Sequence, residues 1–235
     1  MALLTRALIS SDAYLEHFDG VPKEILWTKE RIENSFTETM RARPQAGDGR
    51  SGPGDIWIFG YGSLIWNPLL NFNRRHWAFL HGWHRSFCLR MIAGRGCIQM
   101  PGRMLALEPG GTTLGVAFRL SKATAEEELR LVWAREMQTG VYRPIWSSVM
   151  LEDGREAMAI AFVADPTHPL YEKDPTVSAV APLIIAASGS LGTNADYVFN
   201  LQAALARSGR RDDYVDALAD ELRRLRPGLP APSND

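Results

Sequence analysis

The sequence predicts an α+β fold, and three observations carry that prediction. Short runs of β-branched and aromatic residues fill the middle of the chain, from residue 56 to residue 163. Helical patterns close it, from residue 182 to residue 226, and another, residues 11–42, precedes the strands across a stretch rich in Gly and Pro. Strands gathered ahead of helices, instead of alternating with them, argue against a doubly wound parallel sheet. The 235 residues suffice for one domain with extensions, or at most two small domains. With 46% apolar and 23% charged residues, such a chain can bury a sizeable core without disulfides or a structural metal.

The elements follow in order. In residues 11–42, Ser11 reads as an N-cap, and Tyr14, Phe18, Ile25, Leu26, Ile32 and Phe36 recur at loosely helical spacing. Residues 43–55, RPQAGDGRSGPGD, place four glycines and two prolines in thirteen residues and read as a linker. The run IWIF (residues 56–59) reads as a buried strand that stops at Gly60-Tyr61-Gly62-Ser63, a turn needing backbone freedom. Further strands are expected at 76–80, 86–91, 104–107, 113–120, 146–151 and 157–163, divided by Gly, Pro and Asp turns. The clearest helix spans 125–138, with Thr124 and Glu127 at capping-box spacing and Gly140 just past its end. Helices are also expected at 182–188, 194–208 and 214–226, before a tail, PGLPAPSND, that reads as disordered. The chain thus divides into an extension and linker (1–54), a body (55–206), and a C-terminal helix and tail (207–235).

Composition excludes several classes of function. A net charge of −1 gives no overall field toward nucleic acid or anionic lipid. The densest basic cluster, Arg223, Arg224 and Arg226, lies beside Asp220 and Glu221 and reads as a mixed solvated face. Two cysteines, Cys88 and Cys97, are too few for a secreted disulfide scaffold and fit a reducing, cytoplasmic setting. The five histidines form no HxxxH or HExxH group, and His81 and His84 read as surface and packing residues, so no metal site is expected. The first residues, MALLTRALISSDAYLEHF, have too short an apolar run for a signal peptide, and no run approaches a membrane span.

Two features carry potential chemistry. On the 125–138 helix, Leu129, Val132, Trp133 and Met137 define one apolar face, and the spacing puts Glu136 on it. A carboxylate aimed at a core is costly unless paired or protonated; desolvation raises its pKa, which suits a general base or acid. Pairing with Arg135 or Arg143, or a place at the rim, explains the same pattern without chemistry. Glu126, Glu127, Glu128 and Arg130 lie in the first helical turns and raise no such question. The second feature is GYGSL, residues 60–64, whose main-chain N–H groups lie in a concave turn able to bind a carboxylate or an oxyanion. A plain tight turn is the alternative. No Gly-Lys-Ser/Thr follows it, a third glycine is missing, and Gly-x-Ser-x-Gly does not occur, so Ser63 is not read as a nucleophile.

Longer stretches resemble the ChaC family, the glutathione-specific γ-glutamylcyclotransferases, and most closely its bacterial members. They are WIFGYGSLIWNP (57–68), GWHRSFCLR (82–90), GRGCIQMPGRMLALEPGG (94–111), GVAFRL (115–120), WAREMQTGVYRPIW (133–146) and APLIIAASGSLGTNADYVFNL (181–201). The resemblance implies a small mixed β-barrel flanked by helices, with a helical N-terminal extension. It implies that Ile58, Phe59, Gly60, Tyr61, Gly62, Ser63 and Leu64 bind the γ-glutamyl group, that Glu136 transfers protons, and that Tyr197 lines the pocket. The implied substrate is glutathione, whose α-amino group attacks its own γ-carbonyl to leave 5-oxoproline and cysteinylglycine, with no cofactor and no metal. Cys97 departs from the family, where threonine is expected after Arg-Gly. Two readings stay open beside it: a cyclotransferase for other γ-glutamyl peptides or amines, and a non-catalytic module that binds a metabolite on the same fold.

Overall fold

The computed structural model describes residues 4–44 and 55–226. Most of the expected 43–55 linker and the expected disordered tail lie outside the described residues. The centre is a closed five-stranded barrel of β1 (Trp57–Gly60), β2 (Phe72–Met91), β3 (Gly102–Leu120), β4 (Tyr142–Leu151) and β5 (Glu156–Ala164), in the order β1-β3-β2-β4-β5. Parallel pairing of β1 with β5 closes the ring, while the other pairs are antiparallel. An α+β class with a small barrel is therefore what the chain forms.

The barrel corrects the strand count. The four runs expected at 76–80, 86–91, 104–107 and 113–120 are two strands of 20 and 19 residues. What reads as a turn at Pro109-Gly110-Gly111 is a bend inside β3, whereas Pro101-Gly102 does close the connection from β2 to β3. Gly82 (φ +80), Gly110 (φ +109) and Gly111 (φ +66) sit where the β2–β3 register shifts between His81 and Trp83. Glycine at positive φ lets a long strand bulge and coil around a barrel without breaking its ladder. The Glu152-Asp153-Gly154 turn does join β4 to β5, with Gly154 at φ +83.

The N-terminal stretch is not one helix. It contains α1 (Arg6–Ile9), a 3₁₀ helix (Asp12–Phe18), and α2 (Lys29–Arg41), whose N-cap Thr28 accepts from the Arg31 N–H. Gly20 (φ +85) and Pro22 break the pattern between them. Ser11 precedes the 3₁₀ helix without capping it; its Oγ donates to the Leu8 carbonyl instead.

α3 (Ala125–Glu136) ends two residues before the expected boundary. No capping box forms, and the buried Thr124 hydroxyl has no hydrogen-bond partner among the described residues. Gly140 serves a different purpose from a helix stop: at φ +67 it lies against the Trp27 indole, 2.0 Å from where a Cβ would stand. α4 (Val177–Ala186) starts five residues ahead of Pro182, which marks the interior of the helix, not its first turn. The hairpin β6 (Ser188–Gly189) and β7 (Gly192–Thr193) leads into α5 (Asn194–Ala206), which opens on a capping box of Thr193 and Asp196.

α6 (Asp213–Leu225) buries Val215, Leu218, Ala219 and Leu222 in the same core as the barrel. Its Arg223 and Arg224 pair with Asp220 and Glu221, the mixed face expected there. No helix among the described residues is long and apolar enough to cross a membrane.

Candidate active site

Glu136 is the last residue of α3. Leu129, Val132, Trp133 and Met137 are at most 1% exposed, so the apolar face is real, and Glu136 stands at its open end with 19% of its side chain exposed. Burial pushes its carboxyl above the ordinary value of 4.5, and Arg135 opposes that shift. The main-chain carbonyls ending α3 also disfavour a negative charge there. The pairing with Arg135 weighed as an alternative is present, at 3.2 Å from Nε to Oε1, whereas Arg143 is exposed on β4.

Arg135 links this carboxylate to the glycine turn. Its second nitrogen donates to Ser63 Oγ at 2.6 Å, and its third to the Asn67 carbonyl at 3.0 Å. The guanidinium thus fixes Glu136 relative to residues 63–67, using the planar fork that Lys lacks.

β1 ends at Gly60, and a 3₁₀ turn, Ser63–Ile65, follows. Both glycines are needed for close approach: a Cβ on Gly60 would lie 2.7 Å from Leu64 Cβ, and one on Gly62 would lie 2.5 Å from the Tyr197 hydroxyl. The space freed by the glycines is therefore taken up by Leu64 and Tyr197. The Tyr197 phenol oxygen lies against the main chain of the turn at Gly62. The N–H groups of Tyr61 and Gly62 have no main-chain acceptor among the described residues. Their carbonyl-side support is Arg85, a residue the sequence did not single out. Its Nε donates to the Tyr61 carbonyl at 2.8 Å, another nitrogen donates to the Leu114 carbonyl, and it pairs with Asp212, the N-cap of α6, at 2.6 Å. The strand ladder stops at Gly60 because this buried guanidinium takes the next carbonyls.

A cavity of about 540 Å³ brings these parts together. Glu136, Arg135, Phe59 and the whole Gly60–Leu64 turn line it, as does Tyr197 from α5. Ile58 does not; it is fully buried on the other side of β1, as strand alternation requires. The phenols of Tyr61 and Tyr142 donate to the Phe162 and Leu105 carbonyls at 2.6 and 2.9 Å. Burial holds both protons in place, helped by the Glu136 charge at Tyr61 and by Tyr61 and then Glu136 at Tyr142; burial and the Glu136 charge push Tyr197 up to about 12. Arg90 and Arg95 also reach the cavity. Arg90 is paired with Glu172, while Arg95 donates to the Thr193 carbonyl and has no carboxylate within ion-pair distance among the described residues. Neither cysteine belongs to this wall: burial drives the Cys88 thiol to about 12, and Cys97 lies half-buried on the 92–101 loop. No cluster of His, Cys, Asp or Glu that could hold a metal ion occurs among the described residues.

The ChaC-like protein family model matches residues 56–225. The chain belongs to that family. Among ChaC-like relatives, the chain is 46% identical over 223 residues to the glutathione-specific γ-glutamylcyclotransferase of Escherichia coli (strain K12), covering 95% of this chain and 94% of that one. It is 31% identical to the glutathione-specific γ-glutamylcyclotransferase 1 of Mus musculus, over 79% of this chain and 85% of the relative. The crystal structure of a yeast γ-glutamyl cyclotransferase specific to glutathione superposes with a TM-score of 0.69 at 22% identity, over 75% of this chain and 99% of that one. That likeness establishes the shared ChaC-like fold.

Proposed function

We propose that the chain is a glutathione-specific γ-glutamylcyclotransferase that forms 5-oxoproline and cysteinylglycine. The observation that carries this reading is the convergence of Glu136 and the Gly60–Leu64 turn on one cavity, locked together by Arg135. The names of the Escherichia coli and mouse relatives support the choice of glutathione.

The chemistry follows from the groups present. The substrate α-nitrogen attacks its own γ-carbonyl carbon, the ring closes, and the bond from that carbon to the cysteinyl nitrogen breaks. Two protons leave the α-nitrogen and two arrive at the cysteinyl nitrogen, so one carboxylate that accepts and returns protons suffices. Glu136, made more basic by burial, is that carboxylate; general base and acid steps of this kind contribute about 10²–10⁴-fold. The charge that grows on the carbonyl oxygen is received by the Tyr61 and Gly62 N–H groups, each such donor being worth about 3 kcal/mol. Tyr61, Tyr142 and Tyr197 wall the inner end and keep the glutamyl chain folded on itself, within about 3–3.5 Å of ring closure. Arg95 offers its charge to a substrate carboxylate. In this reading Ile58 acts through the strand that carries Phe59 and Gly60. The catalytic unit is residues 55–206, with residues 1–54 and 207–235 flanking it.

The test is incubation with reduced glutathione, oxidised glutathione, γ-glutamyl-alanine and γ-glutamyl-lysine, with 5-oxoproline and free glutamate both measured. Formation of 5-oxoproline from reduced glutathione, and little from the others, is expected. Release of glutamate would mean hydrolysis by water and would contradict self-attack.

A further inference from the structure

We propose that residues 4–18 form the wall of this site that reads the leaving half of the substrate, with His17 and Phe18 as specificity-determining side chains. The inference rests on the cyclotransferase reading above and concerns a segment outside the 56–225 family match. Leu4, Tyr14, His17 and Phe18 all line the same cavity as Glu136.

The segment is anchored at both ends of that cavity. Arg6 donates to Glu128 at 2.5 and 3.1 Å and to the Leu69 carbonyl at 2.7 Å, and Asn67 Nδ2 donates to the Leu4 carbonyl at 3.0 Å. Tyr14 is buried beside the catalytic carboxylate: its hydroxyl donates to the Arg135 carbonyl at 3.2 Å, and its ring packs edge-on against Phe18. Three residues further on, His17 Nδ1 lies 2.7 Å from Ser190 Oγ, at the tip of the β6–β7 hairpin. The neighbouring Leu191 N–H donates to the Gly94 carbonyl at 2.7 Å, so the hairpin in turn rests on the loop that holds Arg95. The segment therefore runs from Glu136 to the far rim and bridges it.

Substrate geometry assigns this region. With the reacting amide at Glu136 and the Tyr61–Gly62 turn, the glutamyl group occupies the inner end, which Tyr61 and Tyr142 close. The cysteinylglycine half must extend outward, between residues 14–18 on one side and Gly94, Arg95 and Leu191 on the other. Phe18 offers an apolar face to a small side chain, and His17 offers a ring nitrogen to a peptide group.

The experiment measures 5-oxoproline formation by the full-length protein on glutathione and γ-glutamyl-alanine, for wild type, His17→Ala, Phe18→Ala and Ser190→Ala. His17→Ala and Phe18→Ala are expected to raise KM for glutathione fivefold or more, with a smaller fall in kcat. The preference for glutathione over γ-glutamyl-alanine should narrow by a similar factor. Ser190→Ala, at an exposed hairpin tip, should act in the same direction even if Phe18→Ala lowers thermal stability. Wild-type KM and preference in all three variants would overturn the proposal, and so would an equal loss on both substrates. A wild-type protein that forms no 5-oxoproline from either substrate would overturn the cyclotransferase reading itself, and the wild-type control tells that failure apart.

Discussion

Helix α3 carries two glutamates with opposite fates, Glu128 and Glu136. Glu128 has a fully buried side chain, yet its carboxyl is held below the ordinary 4.5. Burial works against that shift, but Arg6 donates to it twice, and the Asn71 N–H and Nδ2 donate at 3.0 and 2.8 Å. Glu136 is less completely covered, and its carboxyl is raised, because Arg135 alone opposes desolvation. Hydrogen bonds to the charged form, not depth, decide which buried carboxyl is lowered and which is raised. Glu128 holds Arg6 of the N-terminal segment; Glu136 keeps a carboxyl that burial makes more basic.

The largest expected effect separates the two by activity. Glu136→Gln keeps the shape and removes the base, so turnover should fall by about 10²–10⁴-fold while the fold persists; assay of 5-oxoproline beside a thermal melt checks this. The converse substitution, Arg6→Met, leaves Glu128 buried without its cation. It should cost about 3 kcal/mol, read as a lower urea midpoint, with a rise in KM as the segment loosens. Ser63→Ala removes the hydroxyl that accepts from Arg135 but leaves the turn's main chain intact. A loss of about tenfold in kcat/KM is expected, matching one unmade hydrogen bond to a charged group. A Ser63→Ala loss exceeding that of Glu136→Gln would reinstate the hydroxyl as a reacting group.

The smallest effect concerns stability against pH, and its sign differs between the two glutamates. For Glu128, with its lowered folded pKa, the stabilisation is present above the unfolded value of 4.5 and is lost as pH falls through the folded value. For Glu136, with its raised folded pKa, the unfolded state loses its proton first on going up in pH. The charged side chain therefore destabilises the fold above the raised pKa, and the penalty fades as pH falls toward 4.5. Glu136→Gln should accordingly be slightly more stable than wild type at pH 7, with the gain vanishing near pH 4.5. Chemical denaturation at both pH values checks it.

Much of this site was legible in the sequence, and the reasons for the rest are physical. Helical spacing alone put Glu136 on the apolar face of α3, and the Gly-Tyr-Gly-Ser run located the turn. The same spacing contained Glu128, four residues before Val132 and three before Leu131, but its place in the first turn made it look solvated. Its partner Arg6 lies 122 residues away, and such a distance leaves no local mark. Arg85 escaped notice for the same reason: its acceptors are the carbonyls of Tyr61 and Leu114, which bear no side-chain signature, and the carboxylate of Asp212, 127 residues away. The bends in β2 and β3 read as chain reversals because glycine at positive φ serves both, and only barrel closure distinguishes them. The N-terminal wall was invisible because loosely spaced apolar residues suggest a long helix, whereas Gly20 and Pro22 divide it and leave the preceding turns free to fold over the cavity.

In the proposed mechanism the carboxylate of Glu136, made basic by burial, takes the substrate's proton. The decisive measurement of that role is the pH dependence of kcat/KM for 5-oxoproline formation, on wild type and on Glu136→Gln. Wild type should lose activity on acidification through a pKa above 4.5, and the residual activity of Glu136→Gln should lack that limb. An acid limb unchanged in Glu136→Gln would assign the proton to another group and rule out that role for Glu136.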